Sequence, residues 1–204
     1  MTDVVVVDTR LCNLRSITRA LEECGARPRV AAQGSELGEP SHIVLPGVGA
    51  FPDAMAQLAA SGLIEELTEQ VRVRRVPFLG ICLGMQLLGV RGGEVRDTRG
   101  LGWIEGEVTK LTPDPGERVP HVGWDQATPN ADSPLFAGID ASRDFYFVHS
   151  WVLRPDRASD VLATTPFGGG FAAAVSRDNI HGVQFHPEKS QEAGFQLLRN
   201  FLAM

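Results

Sequence analysis

Val4 to Val7 is a β-branched apolar run without polar alternation, the pattern of a strand buried on both faces as in a parallel sheet, and Asp8 ends it. Ser16 is then placed to cap a helix that carries Ile17, Ala20 and Leu21 at helical spacing and that Gly25 closes. His42-Ile43-Val44-Leu45 predicts a second buried strand, stopped by Pro46-Gly47-Val48-Gly49. Helices follow from near Pro52 through Met55 and Leu58, and over 63–73. Val76 to Ile81 predicts a third buried strand, which feeds through Cys82 and Leu83-Gly84 into a helix over Met85-Gln86-Leu87-Leu88. This alternation predicts an α/β fold with an open, mixed, mostly parallel sheet flanked by helices.

Past Gly100 the pattern shortens. Apolar runs at 106–111, 145–153, 171–176 and 182–185, separated by Pro, Gly and Asp, predict strands, some of them antiparallel. Phe195, Leu198, Phe201 and Leu202 recur at helical spacing, so a last amphipathic helix should pack on the sheet. The 204 residues suit one domain over 1–204, and 43% hydrophobic with 22% charged residues describe an ordinary soluble globular chain.

Charge and cysteine usage narrow the function. A formal net charge of -6 repels polyanions, and the short basic cluster Arg72, Arg74 and Arg75 reads as the solvated end of a helix, so no nucleic-acid partner is expected. The three cysteines cannot all pair and lack C-x-x-C spacing, which predicts a reduced, cytoplasmic chain. No basic leader or long apolar stretch predicts secretion or membrane insertion. Neither G-x-G-x-x-G nor a Walker lysine pattern occurs, and no cofactor or metal is expected.

Gly80-Ile81-Cys82-Leu83-Gly84 has the form of a nucleophile elbow, in which glycines on either side let a strand turn sharply into a helix and present the central side chain. A helix N-terminus there favours a thiolate. The other reading of Cys82 is a buried structural cysteine, the reading preferred for Cys12 and Cys24, which have no elbow around them. A general base and its orienting acceptor are offered by His186 and Glu188 in Gln184-Phe185-His186-Pro187-Glu188. Cys, His and Glu together are also a metal-ligating set. Acyl transfer needs oxyanion donors, and backbone N–H groups of Gly47, Val48 and Gly49, with that of Leu83, are the candidates; alone, this segment reads as a glycine turn.

With these pieces the chain resembles a class I, triad-type glutamine amidotransferase domain over nearly its whole length, and so implies the flavodoxin-like fold of that class. Within the superfamily it is most similar to the glutaminase subunit family of imidazole glycerol phosphate synthase. Asn13-Leu14-Arg15-Ser16, Leu45 to Gly49, Pro120-His121-Val122-Gly123-Trp124, Tyr146-Phe147-Val148-His149-Ser150 and Gly182 to Ser190 carry that closer likeness. The resemblance implies a Cys82, His186 and Glu188 triad, Gly47 to Gly49 in the oxyanion strand, and Gln86 holding the substrate glutamine. It implies ammonia transfer to a (β/α)₈ barrel cyclase in a heterodimer, with His121, Trp124, Tyr146 and Lys189 near the interface. Two departures stand out: Thr9-Arg10-Leu11-Cys12, where many relatives carry glycines, and Asp125, where they carry asparagine. Other triad-type glutaminases and a non-catalytic binding module are the remaining alternatives.

Overall fold

In chain order the elements are β1 (Thr2–Val7), α1 (Leu14–Glu23), β2 (Ala26–Ala31), β3 (His42–Gly47), α2 (Phe51–Ala60), α3 (Leu63–Thr68), β4 (Phe78–Cys82) and α4 (Leu83–Gln86). Short strands β5 (Arg91–Gly92) and β6 (Thr98–Arg99) precede β7 (Gly106–Lys110), β8 (His121–Gln126), β9 (Thr128–Pro129), β10 (Asp144–His149) and β11 (Trp151–Pro155). The chain closes with β12 (Val161–Thr165), β13 (Phe171–Arg177), β14 (Ile180–Val183) and α5 (Gln191–Leu202). This computed structural model describes residues 2–10, 14–130, 133–141 and 143–204.

Eight strands form one sheet in the order β2-β1-β3-β4-β14-β13-β12-β9. The first five pair in parallel and the last three antiparallel, which is the mixed, mostly parallel sheet expected. Helices cover both faces. Along β1, Val4 and Val6 join Ile17, Leu21, Leu198 and Phe201 in one core, while Val5 and Val7 join Leu58, Leu63, Leu67 and Val71 in the other. All four valines have no exposed surface, the burial that a run without polar alternation requires.

Three expectations change in detail. Ser16 is not the helix cap: α1 begins at Leu14, whose side chain already packs on the first core, and this places Ser16 inside the first turn. The segment 63–73 is helical as expected, but α3 passes at Glu69 into a π-helical turn that ends at Val73. The run 145–153 is two strands rather than one, since the chain breaks at Ser150 and pairs with different partners on either side, β10 with β8 and β11 with β7. The expected buried, inert Cys12 lies outside the described residues, whereas Cys24 is half-buried, with burial pushing its thiol pKa up.

No helix among the described residues is long and apolar enough to cross a membrane. The buried histidines set an acid limit on stability. Burial pushes His181, whose Nδ1 lies 3.0 Å from Ser176 Oγ, down to about 4, and pushes His149, with help from His121, down to about 3. The unfolded chain takes up these protons near pH 6.5 and the folded chain does not. The contribution of these two sites is therefore complete above pH 6.5 and falls as the pH drops toward 4, by several kcal/mol for both together at about 1.4 kcal/mol per pH unit per site, whereas His186, raised to about 10, acts in the opposite sense and loses its contribution as the pH rises above 6.5. Urea unfolding between pH 7 and 4.5 is expected to show this slope, and His181→Gln to flatten it; an unchanged slope in the variant would refute the assignment.

Candidate active site

Strand β4 runs between β3 and β14 and ends at Cys82, level with Gly47 across the sheet. There the chain reverses into α4 through a backbone at φ 55, ψ −110, a conformation that costs a non-glycine residue roughly 1–3 kcal/mol. Small neighbours make the turn possible. A Cβ on Gly84 would meet the Leu45 carbonyl oxygen at 1.8 Å, and one on Gly80 would meet that of Gly84 at 2.5 Å. The elbow read from the sequence is thus present, although α4 is a single turn, so its dipole contributes less than that of a long helix. Since the strain belongs to the backbone, Cys82→Gly is expected to be more stable than Cys82→Ala by about 1 kcal/mol. Parallel thermal melts check this, and equal stability would show that no strain is stored.

His186 follows β14 and is held from two sides. Its N–H donates to the Tyr146 carbonyl at 2.9 Å, and its own carbonyl accepts from Ser190 Oγ at 2.6 Å, while the Tyr146 N–H donates to that same hydroxyl at 3.0 Å. The imidazole Nδ1 lies 2.8 Å from Glu188 Oε1, so Nδ1 carries the proton and Nε2 is left for chemistry. Burial works against the charged ring, but the Cys82 sulfur and the Glu188 carboxylate outweigh it and push His186 up to about 10. Nε2 has no aligned hydrogen-bond partner among the described residues, and it faces the sulfur without a well-aligned bond.

The oxyanion candidates lie beside the sulfur's strand end. Gly47 is level with Cys82, Val48 and Gly49 form the exposed turn beyond it, and Leu83 opens α4. Gln86 is nearly fully buried behind the elbow, and its Nε2 donates to the Trp151 carbonyl at 2.9 Å and to Gln184 Oε1 at 3.2 Å. In this structure both its donor hydrogens are therefore spent inside the protein. Sequence reasoning missed two members of the site. Gln184 reaches Cys82 Sγ with Nε2 at 3.6 Å, and His149 contacts both the Trp151 carbonyl, at 3.1 Å, and His121 Nδ1, at 3.2 Å. Their signal lay in the Gly182 to Ser190 and Tyr146 to Ser150 stretches, in which His186 and Tyr146 are the more conspicuous residues.

Of the four interface candidates the structure groups three. Trp124 and Tyr146 pair edge to face at 5.9 Å across the β8–β10 ribbon, Lys189 Nζ sits 5.7 Å from the Tyr146 ring centre, and Trp124 is 47% exposed. His121 lies apart from these three. Three residues from Trp124 on one strand, it faces the opposite way and is buried, stacked on Phe167 with ring centres 4.0 Å apart, its Nε2 3.4 Å from Asp125 Oδ2.

The model of the class-I glutamine amidotransferase family matches residues 5–204. Curated relatives include imidazole glycerol phosphate synthase subunit HisH 2 of Pseudomonas aeruginosa, 40% identical and covering 98% of this chain and 99% of its own. Subunit HisH of Caulobacter vibrioides is 45% identical, covering 99% and 98%. A solved glutamine amidotransferase aligns over 98% of this chain and 97% of its own with a TM-score of 0.77 at 20% identity. The PurLQS structure from Thermotoga maritima gives the same TM-score and identity over 100% and 99%. A family match over almost the whole length, joined to an elbow cysteine facing a buried His–Glu pair, makes this chain a member of the class-I glutamine amidotransferase family.

Proposed function

We propose that the chain is the glutamine-hydrolysing subunit of an imidazole glycerol phosphate synthase, releasing ammonia from L-glutamine and passing it to a cyclase subunit. The observation that carries the reading is the strained Cys82 turn set against the buried His186–Glu188 pair, Nδ1 and Oε1 2.8 Å apart, in a chain 40% identical to a named subunit of that synthase.

The Cys82 sulfur attacks the side-chain amide carbon of glutamine, and the developing oxyanion takes backbone N–H groups from the Gly47 to Gly49 turn and Leu83. His186, already protonated, delivers its Nε2 proton to the departing nitrogen, which leaves as ammonia and a Cys82 thioester. Water then attacks the thioester with His186 as base, releasing glutamate and restoring the pair. Glu188 keeps the proton on Nδ1 and stabilises the charged ring throughout.

The partner in this reading is a (β/α)₈ barrel cyclase that docks on the exposed Trp124, Tyr146 and Lys189 side of the ribbon. A cytoplasmic setting suits the free thiols of Cys24 and Cys82. The test is glutamate release by the purified chain alone and then with a barrel cyclase and its nucleotide substrate. Low activity that rises sharply in the complex is expected, and activity indifferent to the cyclase would remove this partner.

A further inference from the structure

Beneath the elbow runs a chain of hydrogen bonds whose polarity is fixed at one end. The Trp151 carbonyl can only accept, and it takes one N–H of Gln86 at 2.9 Å. Gln86 must then present its other N–H, not its oxygen, to Gln184, whose Oε1 accepts it at 3.2 Å. With its oxygen committed, Gln184 can turn only N–H toward Cys82, and its Nε2 stands 3.6 Å from Sγ. Gln184 has no exposed surface, so water does not compete for that N–H. The sulfur also has the Val148 carbonyl at 4.0 Å, an acceptor that favours S–H over the anion. Gln184 thus adds a side-chain donor to a sulfur that has a carbonyl within reach beside the His186 ring.

We infer that Gln184 is a positioning residue for Cys82: its carboxamide N–H, oriented by Gln86 and the Trp151 carbonyl, holds the sulfur as an anion in the attacking direction. The inference rests on Cys82 being the nucleophile. A neutral donor to a buried anion supplies about tenfold to a hundredfold in such an equilibrium.

The experiment follows Cys82 alkylation by iodoacetamide in the full chain across pH 5.5–9, read by peptide mass so that Cys12 and Cys24 are counted separately, beside glutamine turnover in the complete synthase. Gln184→Met, close in volume and without a donor, is expected to slow alkylation at pH 7 by about tenfold or more and move its profile to higher pH, with kcat falling and KM little changed. Gln184→Glu turns a carboxylate toward the sulfur and is expected to lose more at pH 7 and to recover toward acid pH, where the protonated acid can donate again. Should the Met variant not fold, the isosteric Glu variant decides. Wild-type profiles in both folded variants overturn the inference, and so does a fall in kcat with an unmoved alkylation profile, which marks a structural role. If Cys82→Ala retains hydrolysis, the nucleophile assignment fails; if Cys82→Ala is inactive and the Gln184 variants behave as wild type, only the role of Gln184 fails.

Discussion

Cys82→Ala is expected to lower glutamine hydrolysis by roughly 10⁴-fold or more, the scale on which nucleophile removal acts when the rest of a triad depends on it. Among the described residues, the two that share the site cannot replace the sulfur, since His186 carries its proton and Glu188 Oε1 is committed to Nδ1. The fold should survive. Alanine keeps the same φ of 55, so strain is neither relieved nor added, and the loss is one sulfur and its contacts, about 1 kcal/mol. The informative half of the experiment is the complete synthase with free ammonia. If the chain serves only to release ammonia, a cyclase carrying the Cys82→Ala subunit turns over at high ammonium concentration as the wild-type complex does. Residual glutamine hydrolysis near wild type would remove Cys82 from the mechanism, while failure with ammonia would show that the substitution damages the complex.

Much of this site is legible in the sequence because its strictest requirements are local. Gly80 and Gly84 flank Cys82 because a Cβ on Gly80 would strike the backbone of the turn itself and one on Gly84 the backbone of the neighbouring β3, and the Gly-x-Cys-x-Gly spacing shows both at once. His186 and Glu188 meet because a Pro187 turn brings residues two apart onto one side. The buried strands β1, β3 and β4 are legible because burial on both faces makes their central residues, Val4 to Val7, Ile43 to Leu45 and Phe78 to Ile81, a run without polar side chains. The edge strand β2 is harder to see. Its sequence Ala26-Arg27-Pro28-Arg29-Val30-Ala31 buries fully only its two ends, and a proline is tolerated there because one side of an edge strand needs no N–H.

What the sequence conceals is the polar wiring beneath the elbow. Gln184, Gln86, Trp151, His149 and His121 come from four segments, and they meet only when the chain leaves the β8–β10 ribbon at Ser150, pairs β11 with β7 and brings the first carbonyl of β11 under α4. A glutamine in a strand-end motif has no periodicity to mark it. The same folding event explains His121: strand alternation turns it inward while Trp124 stays outside, a difference that a motif such as His-Val-Gly-Trp carries only once its register on β10 is known.

Glu188→Gln tests the pair that drives the proton. The carboxamide of this variant can still present an oxygen to His186 Nδ1, so the 2.8 Å contact and the fold survive, but the negative charge does not. Burial then acts on the imidazolium with only the sulfur to oppose it, and the ring gives up its proton more easily. Two losses combine: fewer molecules begin in the charged pair, and the leaving nitrogen meets a weaker hold on the correct tautomer. Turnover is expected to fall roughly 10²–10⁴-fold with KM nearly constant, as when a triad carboxylate becomes an amide. The sign of the pH effect separates this from simple damage. Because the carboxylate raises the imidazole pKa, its removal lowers the pH up to which His186 stays charged, so alkylation of Cys82 at neutral pH slows while reaction at alkaline pH, where the wild-type ring has lost its charge too, changes little. A variant with wild-type kcat would show that Glu188 only shapes the turn; one slowed equally at every pH would show that the substitution misplaced Cys82 rather than discharged its partner.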